Sequence, residues 1–164
     1  MTGSAESLPE QPAERVRVVL ERIVSQMEIE GASVEVTEDE DTITGSVDAE
    51  DVGIMIGRRG ATIDAVQLLC YRAAFQGSND RKRVSVDAGG YRVNRRDSAL
   101  KQADLAAERA LEAGVEIELE PMSANERRIV HDHLKERSGV ETFSEGEGSE
   151  RCVIVAPLVE QADS

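Results

Sequence analysis

Apolar and polar positions alternate along the chain in two distinct rhythms, and the switches between them mark its elements. Val16, Val19, Leu20, Ile23, Val24 and Met27 recur at helical spacing and predict an amphipathic helix from about Pro12 to Met27. Ser33 to Thr37 and Thr42 to Val47 alternate with period two and predict a hairpin across the acidic turn Glu38-Asp39-Glu40-Asp41. A short helical turn over Glu50 to Ile56 then runs into Gly57-Arg58-Arg59-Gly60. Ile63, Val66, Leu69, Cys70 and Ala73 mark a second helix that ends near Gln76-Gly77-Ser78, and Arg83 to Asp87 reads as a further strand. Ala88-Gly89-Gly90 breaks the pattern and places a domain boundary.

The second half opens with a helix from about Tyr91 to Glu112, with Val93, Leu100, Ala103, Ala107, Ala110 and Leu111 on its apolar side. Val115 to Leu119 alternates as a strand. Ser123-Ala124-Asn125-Glu126 has capping-box spacing and opens a helix to about Glu136, with Ile129, Val130 and Leu134 inward. Val140 to Phe143 and Arg151 to Val155 predict two strands joined by the turn Ser144-Glu145-Gly146-Glu147-Gly148. The organisation expected is a disordered N-terminus over 1–11, domains over 12–88 and 91–157, and a loose tail over 158–164.

Composition narrows the chemistry. Two Phe, two Tyr and no Trp leave a core of Val, Ile, Leu and Ala, and few platforms for stacking bases, which argues against an RNA-recognition-motif sheet. Cys70 and Cys152 have no metal-type spacing and read as two buried thiols in a reducing compartment. The first residues have neither a basic nor an apolar stretch of signal-peptide type, and no run approaches a membrane span, so a cytoplasmic protein without stable membrane insertion is expected.

The net charge of −14 is unevenly spread: residues 1–56 carry −11, 57–109 carry +5 and 110–164 carry −8. A basic middle between acidic ends can attract phosphate locally while the remainder repels it.

Two constellations carry candidate function. In Gly57-Arg58-Arg59-Gly60, glycines permit a tight turn, the next helix offers amides with partial positive charge, and two guanidiniums add full charges. That suits a phosphodiester backbone. Without Gly-Lys-Ser/Thr it is no triphosphate loop. Taken alone the spacing is common and fits a plain turn between helices. The second constellation is Arg127 and His131, four apart on one face of the capped helix, with Arg128 beside them. Such a pair is also compatible with an ordinary solvated face. His133 has no such partner and reads as surface.

The frame Ile-Gly-x-x-Gly-x-x-Ile, in the order helix, strand, strand, helix, loop, helix, strand, resembles a type II KH domain. The run Glu126-Arg127-Arg128-Ile129-Val130-His131, with Thr142-Phe143-Ser144 and Arg151, resembles the R-three-H domain. Together they resemble the bacterial Jag family, whose members are also called KhpB or SpoIIIJ-associated proteins, over roughly residues 12–157. The resemblance implies an α+β fold: a KH-like domain of helices on a three-stranded sheet, then a small R-three-H α+β domain. It implies a single-stranded RNA-binding protein acting as an RNA chaperone or post-transcriptional regulator, with single-stranded DNA as the other possible ligand. By position, Gly57, Arg58, Arg59 and Gly60 would hold the backbone, and Ile56 and Ile63 would line a groove for bases. Arg127 and His131 would contact nucleic acid, with Arg128 and Arg151 as weaker candidates. Arg92, Arg95 and Arg96 would add charge near the junction or serve as structural ion-pair partners. The family also suggests a small single-KH-domain partner.

Many members begin with an extra domain and a charged linker, where about eleven loose residues stand here, so roles tied to that domain are not carried over. The competing class is a protein-interaction adaptor linked to membrane-protein insertion or cell-envelope processes, which would not need Arg58, Arg59 or Arg127. No Cys-His or Ser-His-Asp set, metal-spaced cluster or nucleotide-hydrolysis loop points to an enzyme, a metal or a cofactor.

Overall fold

The computed structural model describes residues 9–79 and 82–158. Most of the expected N-terminal segment, the final residues 159–164, and Asp80-Arg81 lie outside the described residues. The chain divides into two compact units, Met1–Arg92 and Val93–Ser164.

The first unit runs α1 (Pro12–Gln26), β1 (Ser33–Glu38), β2 (Thr42–Asp48), α2 (Gly53–Ile56), α3 (Ala61–Ala74) and β3 (Arg83–Ala88). Its sheet has the order β1-β2-β3. β1 and β2 are antiparallel, with Ser33 opposite Asp48, and β2 and β3 are parallel, with Thr42 opposite Arg83. The parallel pair requires a crossover, which α2 and α3 supply. Pro12 fits the first turn of α1, where its missing N–H costs nothing. Val16, Leu20 and Val24 of α1 pack with Ile43 and Val47 of β2, with Ile63, Val66 and Cys70 of α3, and with Val84 and Val86 of β3. Fully buried residues such as Leu20 and Ile43 each contribute roughly 2 kcal/mol. Arg15 ties α1 to the end of α3 by donating to the carbonyls of Ala74 (3.3 Å) and Gln76 (3.2 Å).

Leu69 departs from expectation. It is 56% exposed beside an equally open Leu68, and Ala74 takes the inward place. The inward line of α3 runs through Ile63, Val66, Cys70 and Ala74, and position 69 lies roughly 100° from Cys70 around the helix.

The second unit is built on α4 (Tyr91–Ala113), β4 (Ile117–Glu118), α5 (Ala124–Leu134), β5 (Val140–Glu145) and β6 (Cys152–Pro157). Its antiparallel sheet has the order β4-β6-β5. The buried side of α4 is a stripe of alanines at 99, 103, 106, 107 and 110. Val93 and Leu111, expected inward, are 63% and 46% exposed. These alanines share one buried core cluster with Val153 and Val155 of the central strand. Val115 is exposed and the strand predicted from it shortens to Ile117–Glu118. Ser144 and Glu145, expected in the turn, belong to β5.

Cys70 and Cys152 are buried free thiols. Burial pushes the Cys70 thiol up to about 12, which keeps it protonated and unreactive. Among the described residues, no helix is long and apolar enough to cross a membrane.

Candidate nucleic-acid interface

The loop between α2 and α3 is set by its two glycines. α2 is a single turn closed by Ile56 N–H to the Val52 carbonyl (3.0 Å) and Gly57 N–H to the Gly53 carbonyl (2.9 Å). Gly57 then leaves the helix at φ 71°, ψ −175°, a conformation essentially restricted to glycine. A side chain there would also collide with Thr62: an added Cβ would lie 2.0 Å from its Oγ1, 2.7 Å from its Cβ and 3.0 Å from its backbone N. Arg58–Gly60 form one 3-10 turn, in which Arg59 is left-handed at φ 52°. Gly60, left-handed at φ 81°, leads into α3, and an added Cβ would stand 2.9 Å from the ring of Tyr91.

Arg58 and Arg59 are exposed, while Gly60 is buried against the Tyr91 ring. No side chain caps the start of α3, so its first amides keep their partial positive charge behind the two guanidiniums. Arg59 holds a left-handed conformation that costs a non-glycine residue roughly 1 kcal/mol. Thr62 and Tyr91 shape this turn from beneath. No spacing rule singles out either one, because each acts through a packing contact with a glycine.

The expected base-binding pair divides. Ile56 is half-buried against the core. Ile63 is fully buried, on the inward line of α3, so it belongs to the core and is closed to a base; its part in the groove is corrected accordingly. Ile54 of α2, 59% exposed, is the accessible apolar side chain leading into the loop.

In the second unit, α5 starts with the expected capping box: the Ser123 hydroxyl accepts from Glu126 N–H, and the Glu126 carboxylate accepts from Ser123 N–H (2.7 Å). The same carboxylate binds Arg95 Nε at 2.7 Å. Burial opposes the charge on Glu126, but the hydrogen bonds from Ser123 and Arg95 outweigh it and hold the carboxyl below its ordinary range.

Arg127 is half-buried and donates from Nη1 to the Met122 carbonyl (2.8 Å). His131 lies on the same face, and both its ring nitrogens are engaged by β5: Nδ1 with the Thr142 hydroxyl (2.7 Å) and Nε2 with the Ser144 hydroxyl (3.0 Å). Burial and then the nearby Arg127 charge lower the His131 pKa, with Asp132 acting in the opposite direction. A neutral ring donating one hydrogen bond and accepting one fits this position. The pair therefore fastens α5 to its own N-terminal loop and to β5.

The remaining candidates differ in kind. The Arg128 side chain is 82% exposed and lies 3.8 Å from Asp132. Arg151 donates to the Gly146 carbonyl (3.1 Å) and braces the β5–β6 turn. Arg92 donates to the Val86 carbonyl (2.9 Å), Asp64 (2.9 Å) and Gln67 (3.1 Å), which fixes it structurally within the first unit. Arg95 is held by Glu126, with Glu120 at 3.9 Å, whereas Arg96 is exposed. His133 is on the surface as expected, but it has a partner. Its Nε2 sits 2.9 Å from Asp104, which also binds Arg137 at 3.3 Å, and helical spacing on α5 had no means of revealing a partner on α4. Among the described residues no group of three or more His, Cys, Asp or Glu could hold a metal ion.

Comparison with known proteins places both units. Residues 13–87 match the family described as KhpA/KhpB, KH domain, and residues 98–157 match the R-three-H domain. The chain is 32% identical over 148 residues to the RNA-binding protein KhpB of Bacillus subtilis (strain 168), covering 88% of this chain and 70% of that protein. It is 36% identical over 124 residues to the RNA-binding protein KhpB of Clostridium symbiosum, covering 76% of this chain and 56% of that one. With the RNA-binding protein KhpB of Streptococcus pneumoniae serotype 2 it shares 29% identity over 146 residues, 89% of this chain but 44% of the relative.

Proposed function

Because the chain belongs to the KhpB family, we propose that it binds single-stranded RNA, with the Gly57–Gly60 loop gripping the backbone. The observation that carries this reading is the loop itself: Gly57 in a conformation essentially restricted to glycine, Gly60 packed too close to the Tyr91 ring for a side chain, and two exposed arginines in front of an uncapped helix start. Phosphate contact there is electrostatic and indifferent to sequence. Bases would lie against Ile54 and the exposed edge of Ile56, since Ile63 is enclosed. The scarcity of aromatic residues favours backbone grip over stacking as the main source of affinity.

In the second unit, Arg127 and Arg128 supply phosphate contacts, and His131 acts by holding α5 to β5 rather than by donating to the ligand. Arg96 adds exposed charge, while Arg92, Arg95 and Arg151 are positioning residues. A sequence-tolerant grip of this kind suits an RNA chaperone or post-transcriptional regulator working in the cytoplasm, on RNA or on single-stranded DNA of the same backbone geometry. A small single-KH-domain protein would be a partner in that work.

The test is amide chemical-shift mapping of the labelled protein with a single-stranded RNA of about fifteen nucleotides, enough for several four-nucleotide clamps. The loop from Gly57 to Ala61 and the face of α5 bearing Arg127 and Arg128 are expected to shift. Shifts confined to other surfaces would refute the assignment.

A further inference from the structure

The open edge of the second sheet has properties opposite to those of the loop. β4 is an edge strand, paired only with β6. Ile117 lies opposite Val155, and the Leu119 amide donates to the Val153 carbonyl (2.9 Å). In an antiparallel ladder the peptide groups of alternate residues point away, so the Glu118 amide and carbonyl face outward from the edge. Side chains along this edge alternate too. Ile117 and Leu119 turn toward the α4 core, whereas Glu116, Glu118 and Glu120 are exposed. Beside them lies a cleft of about 190 Å³ between β4 and α4; Leu105, Ala106, Ile117 and Leu119 form its apolar part, and Gln102, Arg109, Glu118 and Glu120 its polar rim. Leu105 is 53% exposed there.

We propose that this edge docks an extended protein segment in which apolar and basic residues alternate. Such a segment would add a fourth strand by bonding to the Glu118 peptide. Its apolar side chains would enter the cleft against Leu105 and Ile117. Its Lys or Arg side chains, on the other face, would meet Glu116, Glu118 and Glu120. The sign of the charge selects the partner: Glu116, Glu118 (which also accepts the Cys152 thiol, 3.5 Å) and Glu120 (3.9 Å from Arg95) lie in a region of net charge −8 (residues 110–164) that repels a nucleic-acid backbone and attracts a basic peptide. β5, the other edge of the sheet, carries Glu141 and Glu145. The proposal does not depend on the RNA-binding reading.

The test uses the full chain and a fluorescent eight-residue peptide alternating valine and lysine, followed by anisotropy. A peptide of the same composition with valines and lysines in separate blocks serves as control. The alternating peptide is expected to bind at least about tenfold more tightly than the block peptide, since only it matches the two faces of the edge. Glu116→Lys/Glu118→Lys should weaken binding about tenfold or more, and Leu105→Asp by a similar factor. All three positions are exposed, so an unchanged urea midpoint would show that the variants fold. Equal affinity for the two peptides, unchanged affinity in both variants, or no binding at millimolar peptide would overturn the proposal. So would displacement of the peptide by single-stranded RNA through shifts at residues 116–120.

Discussion

Replacing Gly57 by alanine should damage the loop in two separable ways. The first cost is conformational: φ 71° with ψ −175° is a region that penalises an L side chain by about 1–2 kcal/mol. The second is steric. The new Cβ would fall 2.0 Å from Thr62 Oγ1, which a rotamer change could relieve, but also 2.7 Å from Thr62 Cβ and 3.0 Å from its backbone N, which only movement of α3 could relieve. Forced contacts of this sort cost about 1–3 kcal/mol. The sum is about 3 kcal/mol. Gly31→Ala is the control, because Gly31 has φ +66° with open space around it and should lose only the conformational part, about 1 kcal/mol. Tyrosine fluorescence in a urea titration is the assay: both tyrosines, Tyr71 and Tyr91, lie in the first unit, and there is no tryptophan. Thr62→Ala in the Gly57→Ala background should recover only part of the loss. If Gly57→Ala were no worse than Gly31→Ala, the contact with Thr62 would not be what shapes the loop.

Other consequences follow from the second unit and its neighbours. Removing the carboxylate with Glu126→Ala takes away the shorter of Arg95's two ion pairs and opens the Ser123 capping box, so it should cost about 2 kcal/mol in chemical denaturation. Folded His131 holds its proton less tightly than it would in the unfolded chain. As the pH falls below the ordinary value of 6.5, the unfolded state is protonated first, and stability should decline until the folded ring is protonated as well. His131→Gln should flatten that decline below about pH 6.5, measured by urea midpoints with far-UV circular dichroism. Arg92→Ala should lower stability by about 1–2 kcal/mol while leaving RNA affinity within about threefold under folding conditions, since its guanidinium is committed to Val86, Asp64 and Gln67.

The chain's periodicity disclosed much of its architecture because burial follows it closely in the first unit. Val16, Leu20 and Val24 recur at helical spacing and all are buried; Ser123 and Glu126 have capping-box spacing and form one. Periodicity misled where size and burial part company. On α4 the expected Ala103, Ala107 and Ala110 are buried, with Ala99 and Ala106 completing the stripe, but the larger Val93 and Leu111, expected beside them, are exposed. Ile63 illustrates a second limit. Its place after Gly-x-x-Gly suggests a groove, but one turn into a helix an inward residue belongs to the core. Contacts between elements were hidden in principle: Thr62 under Gly57, Tyr91 against Gly60, Thr142 and Ser144 on His131, and Asp104 with His133 all join positions that no local spacing relates.

The central claim is that exposed charge on the Gly57–Gly60 loop carries the RNA affinity. Fluorescence anisotropy with a single-stranded RNA of about fifteen nucleotides, at two salt concentrations, tests it most directly when wild type is set beside Arg58→Asp/Arg59→Asp. The account predicts wild-type binding that weakens as salt rises, and a double variant that folds normally but binds at least about tenfold more weakly at low salt. Undiminished binding by the double variant would contradict it.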